Sequence, residues 1–221
     1  IIINLETDDV KQVFFPENND EYPYASFSSN GLFYTGAANM FMVLDPFKEQ
    51  FIHYSVIENG EEIVGFSFAE DLAGNIYFTS YPHCHLLKFS PHSKEIIDFG
   101  SMDLTEKYPG TVAIDQTGWA YLGIGTENKN IVAYHIEKGL KKGLIEGPQR
   151  KKGTGFVYLG EDGSVYGHIG DTSSPERMKF SNGDFETVAI EKLPLSLYAG
   201  TAFQRIHRYK EGNYQVEKYT L

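Results

Sequence analysis

A turn-and-strand unit that recurs four times, at intervals of about 45 residues, constrains the fold of this chain more than any other feature. A period of this length is typical of the blades of a β-propeller, in which each unit packs against its neighbours in the ring. The four copies are SSNGLFYTG at 28–36, DLAGNIYFTS at 71–80, DQTGWAYLGIG at 115–125 and GEDGSVYGHIG at 160–170.

A glycine occupies the same place in each turn, and a tyrosine follows it three residues later. Such a glycine suits the positive φ that a tight hairpin between two strands requires. The copies step by 43, 44 and 45 residues. We therefore expect each tyrosine to occupy an equivalent position on the second strand of its unit. The glycines are Gly31, Gly74, Gly118 and Gly163, and the tyrosines are Tyr34, Tyr77, Tyr121 and Tyr166.

Two further apolar segments follow each hairpin, separated by another turn. The 221 residues include 15 Tyr, 16 Phe, 22 Gly and 9 Pro, a composition that favours short strands and tight turns over long helices. Four strands per unit and no helical periodicity predict an all-β fold, a β-propeller of four-stranded antiparallel blades. The predicted third strands are 40–46, 85–91, 131–139 and 176–183, and the predicted fourth strands are 50–56, 95–101, 143–147 and 184–190.

The whole chain is predicted to be a single propeller domain or a fragment of one, with about five blades visible. Because many propellers have six to eight blades, a slice of a six- to eight-bladed ring is favoured over an irregular closed ring of five. The predicted blades span about 23–57, 63–101, 111–146 and 154–190, with partial blades at 1–15 and 195–221.

The second repeat carries the pattern D-x-x-G-N-I-Y-F-T followed by L-x-K-F-S-P-x-S-K-E. This pattern resembles the repeat of streptogramin lyase and NHL-type propellers, and the resemblance covers residues 23–190. It implies a propeller fold. It assigns no residue of this chain to the catalytic histidine and glutamate of the streptogramin lyases.

Charge and cysteine content exclude several classes of protein. The 19 basic against 30 acidic residues give a net charge of −11, which argues against a nucleic-acid partner or an anionic membrane surface. No apolar run is long enough for a membrane helix, so we expect a soluble chain. A secreted or a periplasmic location would be compatible with this expectation. The lone Cys84 excludes an internal disulfide and a multi-cysteine zinc site.

The stretch His83-Cys84-His85 invites interpretation as a metal or catalytic site. The repeat instead places His83 in a loop and His85 at the start of a strand, with His92 in a turn at the opposite end of the blade. His83 and His85 share a side but would need further ligands to hold one ion, so no metal site is predicted. Cys84 is expected to point into the blade.

In a propeller, the loops that join the second strand to the third and one blade to the next share one face, where function usually resides. A histidine, a tyrosine and cations there would suit β-elimination on a uronate sugar, because cations neutralise the carboxylate while His or Tyr moves the proton. The predicted catalytic residues are His83, Tyr108 and His168, and the predicted substrate-binding residues are Tyr81, Arg150, Lys151, Glu127 and Asn128.

Three functions remain open from the sequence. The first is a ligand- or carbohydrate-binding module, the second a polysaccharide lyase, and the third a scaffold for a separate catalytic domain. The predicted partner is a small molecule, a carbohydrate or a protein, because tyrosine-rich loops suit both sugar stacking and protein contact. The sequence identifies no cofactor.

Overall fold

The computed structural model describes residues 1–4, 6–17, 24–57, 61–169, 177–189, 193–194, 205–210 and 213–218, with backbone alone at 24–27, 66, 205–210 and 213–218. Within these ranges the only helical segment is a three-residue 3-10 turn at Gly147–Gln149. The prediction of an all-β chain is therefore confirmed.

Four sheets each contain four consecutive antiparallel strands, and a two-stranded hairpin lies at each end of the chain. The first hairpin pairs β1 (Ile2–Ile3) with β2 (Val10–Lys11). The first sheet contains β3 (Tyr24–Phe27), β4 (Phe33–Ala37), β5 (Met40–Asp45) and β6 (Gln50–Val56). The second contains β7 (Ile63–Glu70), β8 (Ile76–Tyr81), β9 (His85–Ser90) and β10 (Glu95–Ser101). The third contains β11 (Pro109–Ile114), β12 (Trp119–Ile124), β13 (Asn130–His135) and β14 (Leu140–Gly143). The fourth contains β15 (Gly155–Leu159), β16 (Val165–Ile169), β17 (Arg177–Ser181) and β18 (Asp184–Val188). The last hairpin pairs β19 (Arg205–Lys210) with β20 (Asn213–Lys218).

The sheets pack face to face in sequence order, as blades do. One core cluster combines side chains of the first and second sheets, a second joins the second and third, and a third joins the third and fourth. The first strands β3, β7, β11 and β15 contact one another in succession. The last strands are much more exposed than the second strands, and β14 is exposed along its whole length whereas β12 is buried throughout. The first strand of each blade is thus innermost and the fourth outermost.

The hairpin glycines and tyrosines have the geometry that the repeat predicts. The φ angles of Gly31, Gly74, Gly118 and Gly163 lie between 76° and 85°. The tyrosine hydroxyl bonds back to the turn: Tyr77 donates to Asp71 across 3.1 Å, and Tyr121 donates to Asp115 across 3.3 Å. In these two turns an aspartate accepts from the tyrosine of its own hairpin, whereas in the first blade the Tyr34 hydroxyl accepts from the side chain of Asn30 at 3.3 Å.

Hydroxyl groups on the innermost strands join neighbouring blades. The Ser67 hydroxyl accepts from the backbone N–H of Val112 at 3.0 Å, and the Thr111 hydroxyl accepts from that of Val157 at 2.9 Å. The two bonds are spaced by about one repeat along the chain. They satisfy backbone donors that no partner strand reaches.

The fourth strand of the third blade differs from the sequence prediction. The prediction placed it at 143–147, whereas β14 spans Leu140–Gly143. Gly139 has φ of 63° and its N–H bonds to the carbonyl of His135, so the turn is tight and pairing starts at the next residue. The chain then leaves the sheet and enters the 3-10 turn, which contains Pro148.

The two terminal hairpins occupy the segments where partial blades were predicted. The first is attached to the first sheet by an ion pair between Lys11 and Glu49, and Phe15, in the segment that follows the hairpin, packs on Phe51 with ring centroids 5.8 Å apart. That the chain is a slice of a larger ring stays a prediction.

Candidate functional site

The candidate site lies at the end of the sheets that carries residues 57 and 61–62 and the loops 82–84, 102–108, 125–129 and 144–154, which together we call the loop face. Backbone hydrogen bonds connect the loop 102–108, which joins the second and third sheets, to a loop of each sheet. The N–H of Met102 donates to the carbonyl of Cys84 at 2.9 Å, and the N–H of Gly125 donates to that of Tyr108 at 3.0 Å. The loop face is therefore a connected surface on a rigid scaffold.

His83 is oriented by a buried carboxylate. Its Nδ1 contacts one oxygen of Glu62, and the hydroxyl of Ser80 donates to the other. The Glu62 side chain is 2% exposed, whereas that of His83 is 54% exposed. With Nδ1–H directed at the carboxylate, the neutral ring presents the lone pair of Nε2 away from Glu62. This arrangement of a base and its orienting group suits proton transfer.

Cys84 lies between the two histidines but faces the opposite way. Its φ is 53°, in the left-handed region, and its buried Sγ donates to the carbonyl of Glu106 at 3.1 Å. Burial, with the nearby carboxylates of Asp103, Glu106 and Glu62, raises the pKa of Cys84 to about 12. The thiol is therefore protonated and inert at neutral pH, and the expectation that it points into the blade is correct.

His85 has a carboxylate partner of its own. Its Nδ1 lies 2.8 Å from Oδ2 of Asp98 on the adjacent strand β10. The rings of His83 and His85 have centroids 6.2 Å apart. The two imidazoles are thus neighbours, each tied through Nδ1 to a different carboxylate.

An aromatic pair includes a residue that is close to this cluster in sequence. Tyr81, two residues before His83, packs on Tyr108 with ring centroids 4.7 Å apart and an interplanar angle of 42°. Tyr108 is 41% exposed. Its hydrogen bond with Tyr81 raises the pKa of the Tyr108 phenol above the ordinary value of about 10, so the phenol is protonated at neutral pH, as tyrosine ordinarily is.

Arg150 is already bound to other residues of the protein. Its Nη2 donates to Asp103 at 2.6 Å, to the hydroxyl of Thr105 at 3.2 Å and to the carbonyl of Asn128 at 3.1 Å. Asp103 also accepts from Asn130 at 3.1 Å. The structure therefore places Arg150 in a network that joins three loops, and not as a cation open to a substrate carboxylate.

Glu106 fixes the loop that contains Glu127 and Asn128. Its buried carboxylate accepts from the backbone N–H groups of Thr126 and Asn128 and from the Asn128 side chain. Burial alone would raise the pKa of Glu106, but these hydrogen bonds outweigh it and lower the pKa. Asn128 is therefore held by the protein itself, whereas Glu127 is exposed and lies 3.7 Å from Lys152.

His168 lies on β16, two sheets away from His83, and its ring stacks on Phe156 of β15 with centroids 5.3 Å apart. Lys151 is exposed, and its carbonyl accepts from the N–H of Lys129 at 3.0 Å. Of the predicted residues, the structure brings the rings of Tyr81 and Tyr108 into contact, and His83 follows Tyr81 by two residues in the chain.

Sequence reasoning missed Glu62, the residue that orients His83. It lies in a loop whose acidic residues look alike in sequence, and Glu61 next to it is exposed. The signal that separates them is the register of β7 against β8, in which Val64 pairs with Ser80 and so brings the preceding loop toward Ser80. That pairing contains an irregularity, which a repeat pattern does not reveal.

No protein-family model and no curated protein sequence matches this chain. Several solved structures, in contrast, are similar to it in fold. Virginiamycin B lyase from Staphylococcus aureus, in its selenomethionine form, is 16% identical with a TM-score of 0.63, over 99% of this chain and 76% of that one. The chain has a streptogramin-lyase-like β-propeller fold.

A second structure of that lyase is a catalytically inactive histidine-to-alanine variant with quinupristin. It is 15% identical with a TM-score of 0.64, over 98% of this chain and 75% of that one. A proposed gluconolactonase is 10% identical with a TM-score of 0.52, over 76% of this chain and 63% of that one. At these identities the likeness establishes the fold and assigns no chemistry to the residues of the loop face.

Two features are absent from the residues that the structure describes. None of the helical segments there has the length and apolarity needed to cross a membrane. Groups of three or more His, Cys, Asp and Glu side chains arranged around a common metal position are likewise absent from that part of the chain.

Proposed function

We propose that the chain is a ligand-binding propeller module whose loop face takes a small molecule or a carbohydrate at Tyr81, His83 and Tyr108. The observation that carries this proposal is the packed pair Tyr81 and Tyr108, together with an oriented histidine two residues after Tyr81. Aromatic rings offer apolar surface to the C–H face of a sugar, and their hydroxyls and the imidazole offer hydrogen bonds to its edge.

Preorganisation favours binding at this place. Glu62 fixes the ring of His83 and Tyr81 supports Tyr108, so little side-chain entropy is lost when a ligand binds. The loop that carries Tyr108 is itself held by Asp103 and Glu106. The polar groups are therefore already arranged in the unbound protein.

Titration calorimetry over a panel of neutral and uronate oligosaccharides tests the binding proposal. Tyr108→Ala and His83→Ala should each weaken binding by about tenfold or more, since each removes a central contact. His92→Ala is the matched control, because His92 is exposed in the turn between β9 and β10, at the opposite end of the sheet. Equal affinities for all four proteins would contradict a site at this place.

A second candidate function is β-elimination on a uronate-containing sugar, and the Glu62–His83 pair favours it. Nε2 of His83 would remove the α-proton, the electron pair would form the carbon–carbon double bond, and the glycosidic C–O bond would break. The Tyr108 phenol, which is protonated at neutral pH as tyrosine ordinarily is, would donate a proton to the leaving oxygen. Because Arg150 is engaged by Asp103, neutralisation of the uronate carboxylate would fall to Lys151.

The likeness to virginiamycin B lyase, which a histidine-to-alanine substitution inactivates, is a reason to test this reaction here. The assay is absorbance of the unsaturated product over uronate polysaccharides. His83→Ala and Tyr108→Phe should each lose about a hundredfold or more in rate. If the protein binds the sugar but forms no product, the binding module is the better account. If it shows no binding and no product, a scaffold for another domain is favoured.

A further inference from the structure

We propose that His83 and His85 together bind one divalent transition-metal ion through their Nε2 atoms. The left-handed backbone at Cys84 turns the thiol into the core, where Sγ donates to the carbonyl of Glu106. The two flanking imidazoles are left side by side, with ring centroids 6.2 Å apart.

Each ring is presented in the way that metal-binding histidines are. A histidine that ligates a metal almost always donates its other ring N–H to a carboxylate, a carbonyl or water, which fixes the tautomer and the ring. Here Nδ1 of His83 contacts Glu62, and Nδ1 of His85 lies 2.8 Å from Asp98. Both Nε2 lone pairs are therefore directed away from the carboxylates, and two carboxylates stand behind the pair to balance a dication.

The spacing of the rings fits a shared ion. With metal–nitrogen bonds of about 2.0–2.1 Å, two imidazoles on one ion have centroids about 5 Å apart at a tetrahedral angle and about 6.5 Å apart when they bind from opposite sides. The observed 6.2 Å therefore matches two ligands at a wide angle, as in the trans positions of a tetragonal Cu²⁺ or Ni²⁺ site, whereas tetrahedral Zn²⁺ requires the rings to approach by about 1 Å. The interplanar angle of 56° is compatible with two rings that approach one ion from different directions.

The donor set selects the class of ion. Neutral imidazole suits zinc, nickel and copper, and affinity at such a site rises toward Cu²⁺, whereas Mg²⁺ and Ca²⁺ prefer oxygen. No third protein ligand joins the pair within the described residues. Water or a donor atom of a bound ligand would complete the coordination.

This proposal goes beyond the binding of a sugar and does not depend on it, because a metal titration needs neither ligand nor turnover. The two roles do meet at one atom. An ion on Nε2 of His83 would occupy the lone pair that the elimination reaction needs, so metal binding would displace proton transfer from this histidine.

The test titrates the untagged, full 221-residue chain with Zn²⁺ by calorimetry and with Cu²⁺ by electron paramagnetic resonance. We expect one ion per chain and a copper signal split by two nitrogen nuclei. His83→Ala and His85→Ala should each weaken Zn²⁺ binding on the order of tenfold or more, and Asp98→Asn, at a half-exposed carboxylate, about tenfold. His92→Ala should bind as the parent does.

Thermal unfolding of each variant establishes that it is folded, and Asp98→Asn leaves both histidines and the buried Glu62 in place. Retention of the two-nitrogen copper signal in both His83→Ala and His85→Ala would overturn the proposal. Absence of binding by the parent protein at millimolar Zn²⁺ would overturn it as well.

Discussion

The hydroxyl of Tyr121 on β12 accepts a hydrogen bond from the backbone N–H of Gly183, 3.0 Å away in the turn between β17 and β18. The same hydroxyl donates to Asp115 in its own hairpin. One repeat tyrosine therefore closes the turn of the third blade and also holds a turn of the fourth. Lys142 adds a bond to the carbonyl of Gly183 at 3.2 Å, so both backbone groups of this glycine are satisfied from the neighbouring blade.

Tyr121→Phe should lower the free energy of unfolding by about 1–3 kcal/mol, because the buried N–H of Gly183 would lose its acceptor. Tyr77→Phe is the matched control. Tyr77 is equally buried, but its hydroxyl donates to Asp71, which keeps its bond from Asn75. Urea unfolding of both variants measures the difference, and equal losses would contradict an inter-blade role for Tyr121.

Gly183→Ala should destabilise the protein more than Gly139→Ala does. Both glycines have positive φ, 69° and 63°, so alanine meets similar backbone strain at either place. A Cβ at Gly183 would lie 2.4 Å from the ring of Trp119, whereas one at Gly139 would lie 3.7 Å from the Tyr134 hydroxyl. Overpacking should add about 1–3 kcal/mol at Gly183 alone. Thermal unfolding measures the difference, and similar midpoints for the two variants would mean that the indole moves aside at no cost.

The repeat predicted the blades because its signals are local. A turn glycine and a tyrosine three residues later belong to one hairpin, and their spacing holds wherever the hairpin lies in the fold. The prediction was wrong for β14, where the choice between starting at Leu140 and at Gly143 depends on the tight turn at Gly139. Glycine alone does not reveal where the following strand pairs.

The sequence predicted which loops contribute to the candidate site, because loop position follows from the propeller topology, but it did not predict the contacts between their side chains. His83, Tyr81 and Tyr108 lie in loops that the propeller topology brings to one face. The partner of Arg150, in contrast, is Asp103, which lies 47 residues away in sequence. Such a pairing is set by how two blades meet, so a cationic loop in the sequence looks open to substrate when its arginine is already bound.

Acid should destabilise the protein through Asp103 and Glu106. Burial alone would raise the pKa of Asp103, but hydrogen bonds from Asn130 and Thr105 and the Arg150 guanidinium together lower it, as the loop hydrogen bonds do for Glu106. Since both pKa values are lower in the folded state, the unfolded chain binds more protons as the pH falls. The stabilisation is complete above the unfolded-state values of about 4 and is lost as the pH falls through the folded-state values.

Asp103→Asn should therefore cost about 2–3 kcal/mol at pH 7, because Arg150 loses its anionic partner. The difference from the parent protein should shrink as the pH falls below about 4. Arg150→Gln should move the acid transition to higher pH, since it removes a cation that favours ionised Asp103. Urea unfolding between pH 3 and pH 7 is the measurement, and a constant difference across that range would show that Asp103 acts through packing.

Glu62→Leu should change the tautomer of His83 without changing that of His85. In the parent protein the neutral His83 ring is expected to carry its proton on Nδ1, because Nδ1 contacts the buried carboxylate of Glu62. Leucine has a similar volume but accepts no hydrogen bond, so the population of the Nε2–H form should rise. In those molecules Nε2 no longer carries an outward lone pair.

Long-range proton–nitrogen correlation spectra, recorded where both rings are neutral, distinguish the two forms. His85 serves as the internal control, since Asp98 still holds its Nδ1. A His83 ring that keeps the Nδ1–H form in the variant would show that another group orients it, and would remove the support that Glu62 gives to His83 as a base.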